Sequence, residues 1–229
     1  MSAHEDGQPR ISVYVWDPIV RASHWLIFGG ILVLAATGFY IGHPFGLSAR
    51  PAAQTFVMGW VRLVHSYAAI VFSVAVFARV LWMFLGPPMA RWNQFIPSTR
   101  KRVRDLWGTF LFYTFIRRDP PPTTGHNALA GLTYVVVFGL YFMMIVSGLV
   151  LYLPAASAGS YLHALDFAAR LFGGLQTLRW VHHVGMWLLL GFMVHHIYSG
   201  WLMARLEQNG TLDSIFTGYK YLPPEEPHA

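Results

Sequence analysis

The run HHVGMWLLLGFMVHHIY, residues 182–198, holds two histidines fourteen positions apart, His182 and His196, inside an apolar segment. At about 100° per residue, fourteen steps stop roughly 40° short of four full turns, so both rings leave one helix face about 21 Å apart along the axis. One helix would then serve two stacked sites. An imidazole within a lipid-spanning helix is costly and marks function, and the chemistry that wants neutral imidazoles there is metal or haem ligation. The run thus points to a membrane electron carrier.

Working outward, composition supports the membrane. Of 229 residues, 55% are hydrophobic and only 11% charged, with a mean hydropathy of +0.44. Soluble domains carry about 25% charged residues. The chain has no cysteine, which removes disulfides, iron–sulfur ligation and thioether attachment of haem, so any haem is held non-covalently by histidine. Four segments, about 24–43, 60–85, 128–153 and 181–203, are long enough to cross a hydrocarbon core, which takes about 20 apolar residues. The N-terminal MSAHEDGQPR precedes a span-length apolar run with no small-residue cleavage pattern, and reads as leading into a retained helix. No internal repeat or low-complexity tract divides the chain, and 1–229 reads as a single transmembrane domain.

Basic residues orient it. The connection after the second span carries Arg91, Arg100, Lys101, Arg102, Arg104, Arg117 and Arg118, against Arg50 in one other connection and Arg170 and Arg179 in the third. The positive-inside rule then places both termini and the long basic connection in the cytoplasm. The net charge of +6 reflects this topology and forms no groove-sized patch for nucleic acid. Within the connection, Val103, Leu106, Trp107, Phe110 and Leu111 recur at helical spacing opposite Arg100, Lys101, Arg104 and Asp105, the pattern of an interfacial amphipathic helix. Tyr161 to Phe172 reads as a shorter helix on the other side.

Depth then sorts the histidines. Spans two and four both start on the outer side, which brings His65 and His182 to one level as partners for an outer haem. Span one starts inside, so His24 lies near the cytoplasmic face at the level of His196, giving an inner pair. The combinations 182 with 195, or 183 with 196, leave rings roughly 140° apart around the helix; His183 and His195 read as packing or hydrogen-bonding residues. Arg21, Arg62, Arg79 and Arg179 lie near the ligand levels. Of these, Arg62 and Arg179 are the main candidates to pair haem propionates, although snorkelling to headgroups gives the same positions. Glycines within the spans, such as Gly38 and Gly148, admit either a flat ring or ordinary close helix packing.

The motifs YVWDPIVRASHW (14–25), TGFYIGHP (37–44), MGWVRLVH (58–65), GHNALA (125–130), HHVGMW (182–187), VHHIY (194–198) and FTGYKYL (216–222) resemble, in order and spacing, the cytochrome b subunit of membrane-bound nickel–iron hydrogenases. Broader kin are the cytochrome b subunits of formate dehydrogenases and thiosulfate reductases. The resemblance covers about residues 13 to 221. It implies an all-α four-helix transmembrane bundle binding two b-type haems through His24, His65, His182 and His196 in a bacterial inner membrane. It further implies partner hydrogenase small (iron–sulfur) and large subunits, with quinone reduced near the inner face. The subunit is then the electron-transfer part of a hydrogen:quinone oxidoreductase, with no bond-making residue of its own. Asn127 in GHNALA matches the place of a quinone-contacting asparagine, and His126 and Arg21 lie near it; Asn127 also suits a helix cap. The chain departs from the family pattern in its short outer loops and in Ala128, which stands where a proline usually follows GHN. Alternatives are a formate dehydrogenase or sulfur-compound reductase subunit, an isolated di-haem reductase, and a haem-free anchor or transporter, the last expected to show polar groups at midplane.

Overall fold

The computed structural model describes residues 10–44, 56–119, 121, 127–155, 166–222 and 224. It runs β1 (Ile11–Tyr14), α1 (Pro18–Gly42), α2 (Val57–Leu85), α3 (Arg100–Tyr113), α4 (Ala128–Tyr152), α5 (Asp166–Leu171), α6 (Leu175–Glu207), α7 (Thr211–Thr217) and β2 (Tyr219–Leu222). Among the described residues, α1, α2 and α4 are long and apolar enough to cross a membrane. The expected fourth span lies wholly inside α6, which at 33 residues is the longest helix but is less apolar. Its four imidazoles and Arg179 cause this: the polar side chains that make the run informative lower its average apolarity.

Helix boundaries differ from expectation where local chemistry sets them. The first helix begins six residues early because Asp17 caps it: its Oδ1 accepts from the Ile19 and Val20 amides at 2.9 and 3.1 Å, and Pro18 supplies the fixed φ favoured in a first turn. Helix α6 begins at Leu175, directly after Gly173 and Gly174, whose φ of 78° and 103° interrupt any helix before them. The amphipathic segment forms α3 as expected, capped by Thr99, whose hydroxyl accepts from the Arg102 amide at 3.2 Å.

The chain is mostly helical as expected, and among the described residues it also carries one small sheet. Strands β1 and β2 pair antiparallel with Ile11 opposite Leu222 and Tyr14 opposite Tyr219. The Val15 and Trp16 amides both donate to the Gly218 carbonyl. Gly218 has φ 92°, and a Cβ there would meet the Trp16 carbonyl oxygen at 2.8 Å, so only glycine fits this turn.

The chain divides into two compact units. The first comprises Met1–Ala22, Arg79–Val136 and His195–Ala229: the start of α1, the end of α2, the start of α4 and the end of α6, together with α3, α7 and both strands. Its core is Val15, Trp16, Val20 and Ala90, with Val13, Trp82 and Ile215 against them. The Trp82 indole donates to Asp17 Oδ2 at 3.0 Å, and buried Arg79 donates to the Ala90 carbonyl and lies over the Phe95 ring. The second unit, Ser23–Ala78 and Val137–Val194, holds the remainder of the same four helices and α5. Its core is Ile27, Ile31, Phe72, Ala75, Val76, Val137, Tyr141 and Leu189, to which α1, α2, α4 and α6 all contribute. Around these cores large apolar side chains face outward, including Val74, Phe77, Val136, Leu188 and Val194.

Candidate functional site

The second unit brings together His65 from α2 and His182 from α6, near enough to interact electrostatically. Each ring is held through the same atom. His65 Nδ1 lies 2.8 Å from the Thr37 hydroxyl on α1, and His182 Nδ1 lies 2.7 Å from the Ser147 hydroxyl on α4. Both Nδ1 atoms are thus engaged, and Nε2 is the other ring nitrogen of each. A glycine follows each hydroxyl in sequence: a Cβ at Gly38 would sit 3.6 Å from His65 Cε1, and one at Gly148 would sit 3.4 Å from His182 Cε1. Met186, one turn beyond His182, comes within 3.8 Å of that Gly38 position, so α1, α2 and α6 converge there.

In the first unit, His196 is packed edge-to-face against Tyr134 of α4, ring centroids 5.7 Å apart, with the phenol oxygen 3.3 Å from Nδ1. The arrangement repeats that of the other two rings with a longer contact and a phenol for an aliphatic hydroxyl. His24 falls in the second unit, immediately after its first residue Ser23, with its ring edge-on to Trp25 at 5.1 Å. The expected inner pair is therefore divided between the units, whereas the expected outer pair lies within one.

The remaining candidates fare differently. Arg62 and Arg179 are both exposed, and Arg179 donates to Gln176 Oε1 at 2.6 Å. Arg21 donates to the Phe216 carbonyl and ties α1 to α7. Asn127 caps α4, its Oδ1 accepting from the Ala130 amide at 2.7 Å, which leaves its amide NH2 for any ligand. His126 lies outside the described residues. His183 and His195 bond within α6, to the Arg179 carbonyl and to Ser199.

Sequence reasoning passed over Thr37, Ser147 and Tyr134. The first two left a signal: a hydroxyl residue directly before glycine, Thr37–Gly38 and Ser147–Gly148, occurs once in each of two apolar helices.

This donor set suits a bis-imidazole haem. Such a group needs neutral imidazoles with one free nitrogen, a fixed ring and flanking small residues, and His65 and His182 meet these terms on two facing helices. Among the described residues no group of three or more His, Cys, Asp or Glu could hold a bare metal ion, and a haem requires only two axial ligands.

Residues 15–218 match the profile of the family described as prokaryotic cytochrome b561. Among curated proteins, the chain is 33% identical to a probable Ni/Fe-hydrogenase B-type cytochrome subunit of Bradyrhizobium diazoefficiens, covering 93% of this chain and 86% of that protein. It is 33% identical to one from Rhodobacter capsulatus, covering 94% and 84%. A probable Ni/Fe-hydrogenase 1 B-type cytochrome subunit of Escherichia coli K12 is 28% identical, covering 92% and 91%.

Proposed function

This chain belongs to the prokaryotic cytochrome b561 family, and from that premise we propose that it is the di-haem cytochrome b subunit of a nickel–iron hydrogenase, carrying electrons from an outward-facing iron–sulfur subunit to quinone near the inner face of a bacterial cytoplasmic membrane. Curated relatives across nearly the whole chain bear the hydrogenase B-type cytochrome name. The observation that carries the haem assignment is the matched seating of His65 and His182, each held at Nδ1 by a hydroxyl from a neighbouring helix.

The chain's own residues supply binding and insulation. His65 and His182 would hold the outer haem, His24 and His196 the inner one. Between these imidazoles a bound haem would supply one-electron chemistry, favouring electron transfer over oxygen binding. The Ile27, Ile31, Phe72 and Tyr141 core keeps water from the path and lowers the dielectric around it. Asn127, His126 and Arg21 are the candidate quinone contacts; the Asn127 amide NH2 is the donor free of cap duty.

Four alternating crossings, with α6 as the fourth, are supported by two features. The start of α1 and the end of α6 meet in one unit, joined by the β1–β2 pair, as an even number of crossings requires. Helix α6 also exposes Trp187, Leu188, Val194 and Ile197, a surface suited to lipid. With the basic connection cytoplasmic, both termini lie inside. Helix α3 supports this orientation: Val103, Trp107 and Phe110 are exposed along one side beside Arg100, Lys101 and Arg104, a surface fitted to the headgroup layer.

Haem stoichiometry tests the proposal. Wild type should carry two low-spin haems b per chain, and His182→Ala and His196→Ala should each retain one, the outer lost in the first and the inner in the second. A full complement in His182→Ala defeats the ligand assignment, and absence of b-type absorbance bands from the wild type returns the reading to a haem-free anchor.

A further inference from the structure

The hydroxyls that hold the outer imidazoles are themselves committed elsewhere. Thr37 Oγ1 donates to the Val33 carbonyl at 2.7 Å, within its own helix, and lies 3.2 Å from the Leu34 carbonyl. Ser147 Oγ donates to the Met144 carbonyl at 3.2 Å. A hydroxyl has one proton and two lone pairs. With that proton given to a helix carbonyl, the oxygen would meet the ring only as an acceptor, and each imidazole would then carry its hydrogen on Nδ1 and its lone pair on Nε2. The reverse tautomer would set the Nδ1 lone pair of His65 or His182 against a lone pair of the hydroxyl oxygen.

The two seats are alike although their sequences are unrelated. Each consists of a hydroxyl residue and the glycine after it, on the helix facing the histidine: Thr37–Gly38 of α1 for His65, Ser147–Gly148 of α4 for His182. The hydroxyl fixes Nδ1, and the glycine leaves Cε1, the carbon between the two nitrogens, free of a side chain on that flank. Ser147 is buried, with 3% of its surface exposed, so water does not compete for the contact.

We infer that Thr37 and Ser147 are positioning residues that lock the tautomer and ring orientation of the two outer-haem ligands and, through those bonds, set the outer haem's potential. The inference rests on the ligand roles proposed above for His65 and His182. An acceptor on Nδ1–H increases the ring's electron donation to iron and favours the ferric state. Removing it raises the potential. The hydroxyl is neutral, so the effect is milder than a carboxylate would give.

The test uses the full chain in its native membrane, with optical redox titration, low-temperature electron paramagnetic resonance of the ferric haems, and haem stoichiometry. Thr37→Val and Ser147→Ala each shift the outer haem's midpoint potential upward and move its largest g-value, while the inner haem's signals stay in place. Thr37→Ser, which keeps the hydroxyl, restores both outer readouts. Loss of the outer haem in Thr37→Val that Thr37→Ser recovers supports the same conclusion. Unchanged outer potential and g-values in both hydroxyl-free variants overturn it, as does an equal change in Thr37→Ser and Thr37→Val. A wild type without haem removes the ligand assignment itself, a failure separate from that of the seats.

Discussion

The Trp16 indole donates to the Ser214 hydroxyl at 3.0 Å across 198 residues of sequence, and both side chains are buried. Ser214 in turn donates to the Thr211 carbonyl. This bond fastens the segment that leads into α1 to the short helix that follows α6, beside the strand pair that joins the same two ends of the chain. Ser214→Ala should cost about 1 kcal/mol, and Trp16→Ala about 3–5 kcal/mol through the cavity it leaves. Thermal unfolding in detergent, followed by circular dichroism, should rank the two in that order. Equal melting temperatures for both variants and wild type would count against a structural role for the clasp.

The histidines beside the proposed ligands provide a second check. His183 and His195 bond to groups on their own helix, the Arg179 carbonyl and Ser199. His183→Ala and His195→Ala should therefore keep two haems per chain, in contrast to the variants of their immediate neighbours. Haem loss in either would move the ligand face by one residue and break the fourteen-residue spacing.

Helix α3 can be located directly because the chain has no cysteine. A single spin label at Trp107→Cys, on the exposed apolar side, should be relaxed by oxygen dissolved in lipid. The same label at Arg104→Cys should respond instead to a water-soluble nickel complex. Equal access of both labels to the aqueous reagent would show that α3 does not lie in the interface.

Burial pushes the phenol of Tyr113, at the end of α3, above the ordinary tyrosine range, although the Ser199 side chain of α6 acts the other way. The sign follows from linkage: the unfolded chain releases its proton first as pH rises, so Tyr113's contribution is intact below the usual value of about 10 and is lost as pH climbs through the raised one. Stability should fall on the alkaline side in wild type, and the fall should be smaller in Tyr113→Phe. Identical alkaline profiles would remove Tyr113 as its source.

The legible parts of this protein are those governed by local geometry. Helical phase and rise alone put His182 and His196 on one face. The motif order led to the family that the whole-chain match then gave, and the amphipathic pattern located α3. Helix α6 is not among the helices apolar enough to cross a membrane, because its histidines dilute its apolarity. The propionate candidates Arg62 and Arg179 are exposed, and Arg79 is buried. Depth along a helix does not say which side chain turns inward.

From sequence alone come helix content, membrane character, the basic connection and the four candidate ligands, since each depends on neighbours within a few turns or on net composition. Tertiary structure decided which atoms those ligands have left to offer. The hydroxyls on His65, His182 and His196 stand 28, 35 and 62 residues away in the chain, and the strands that join its ends are more than 200 apart. Such contacts arise only when particular helices lie side by side, and no local periodicity encodes which helix faces which.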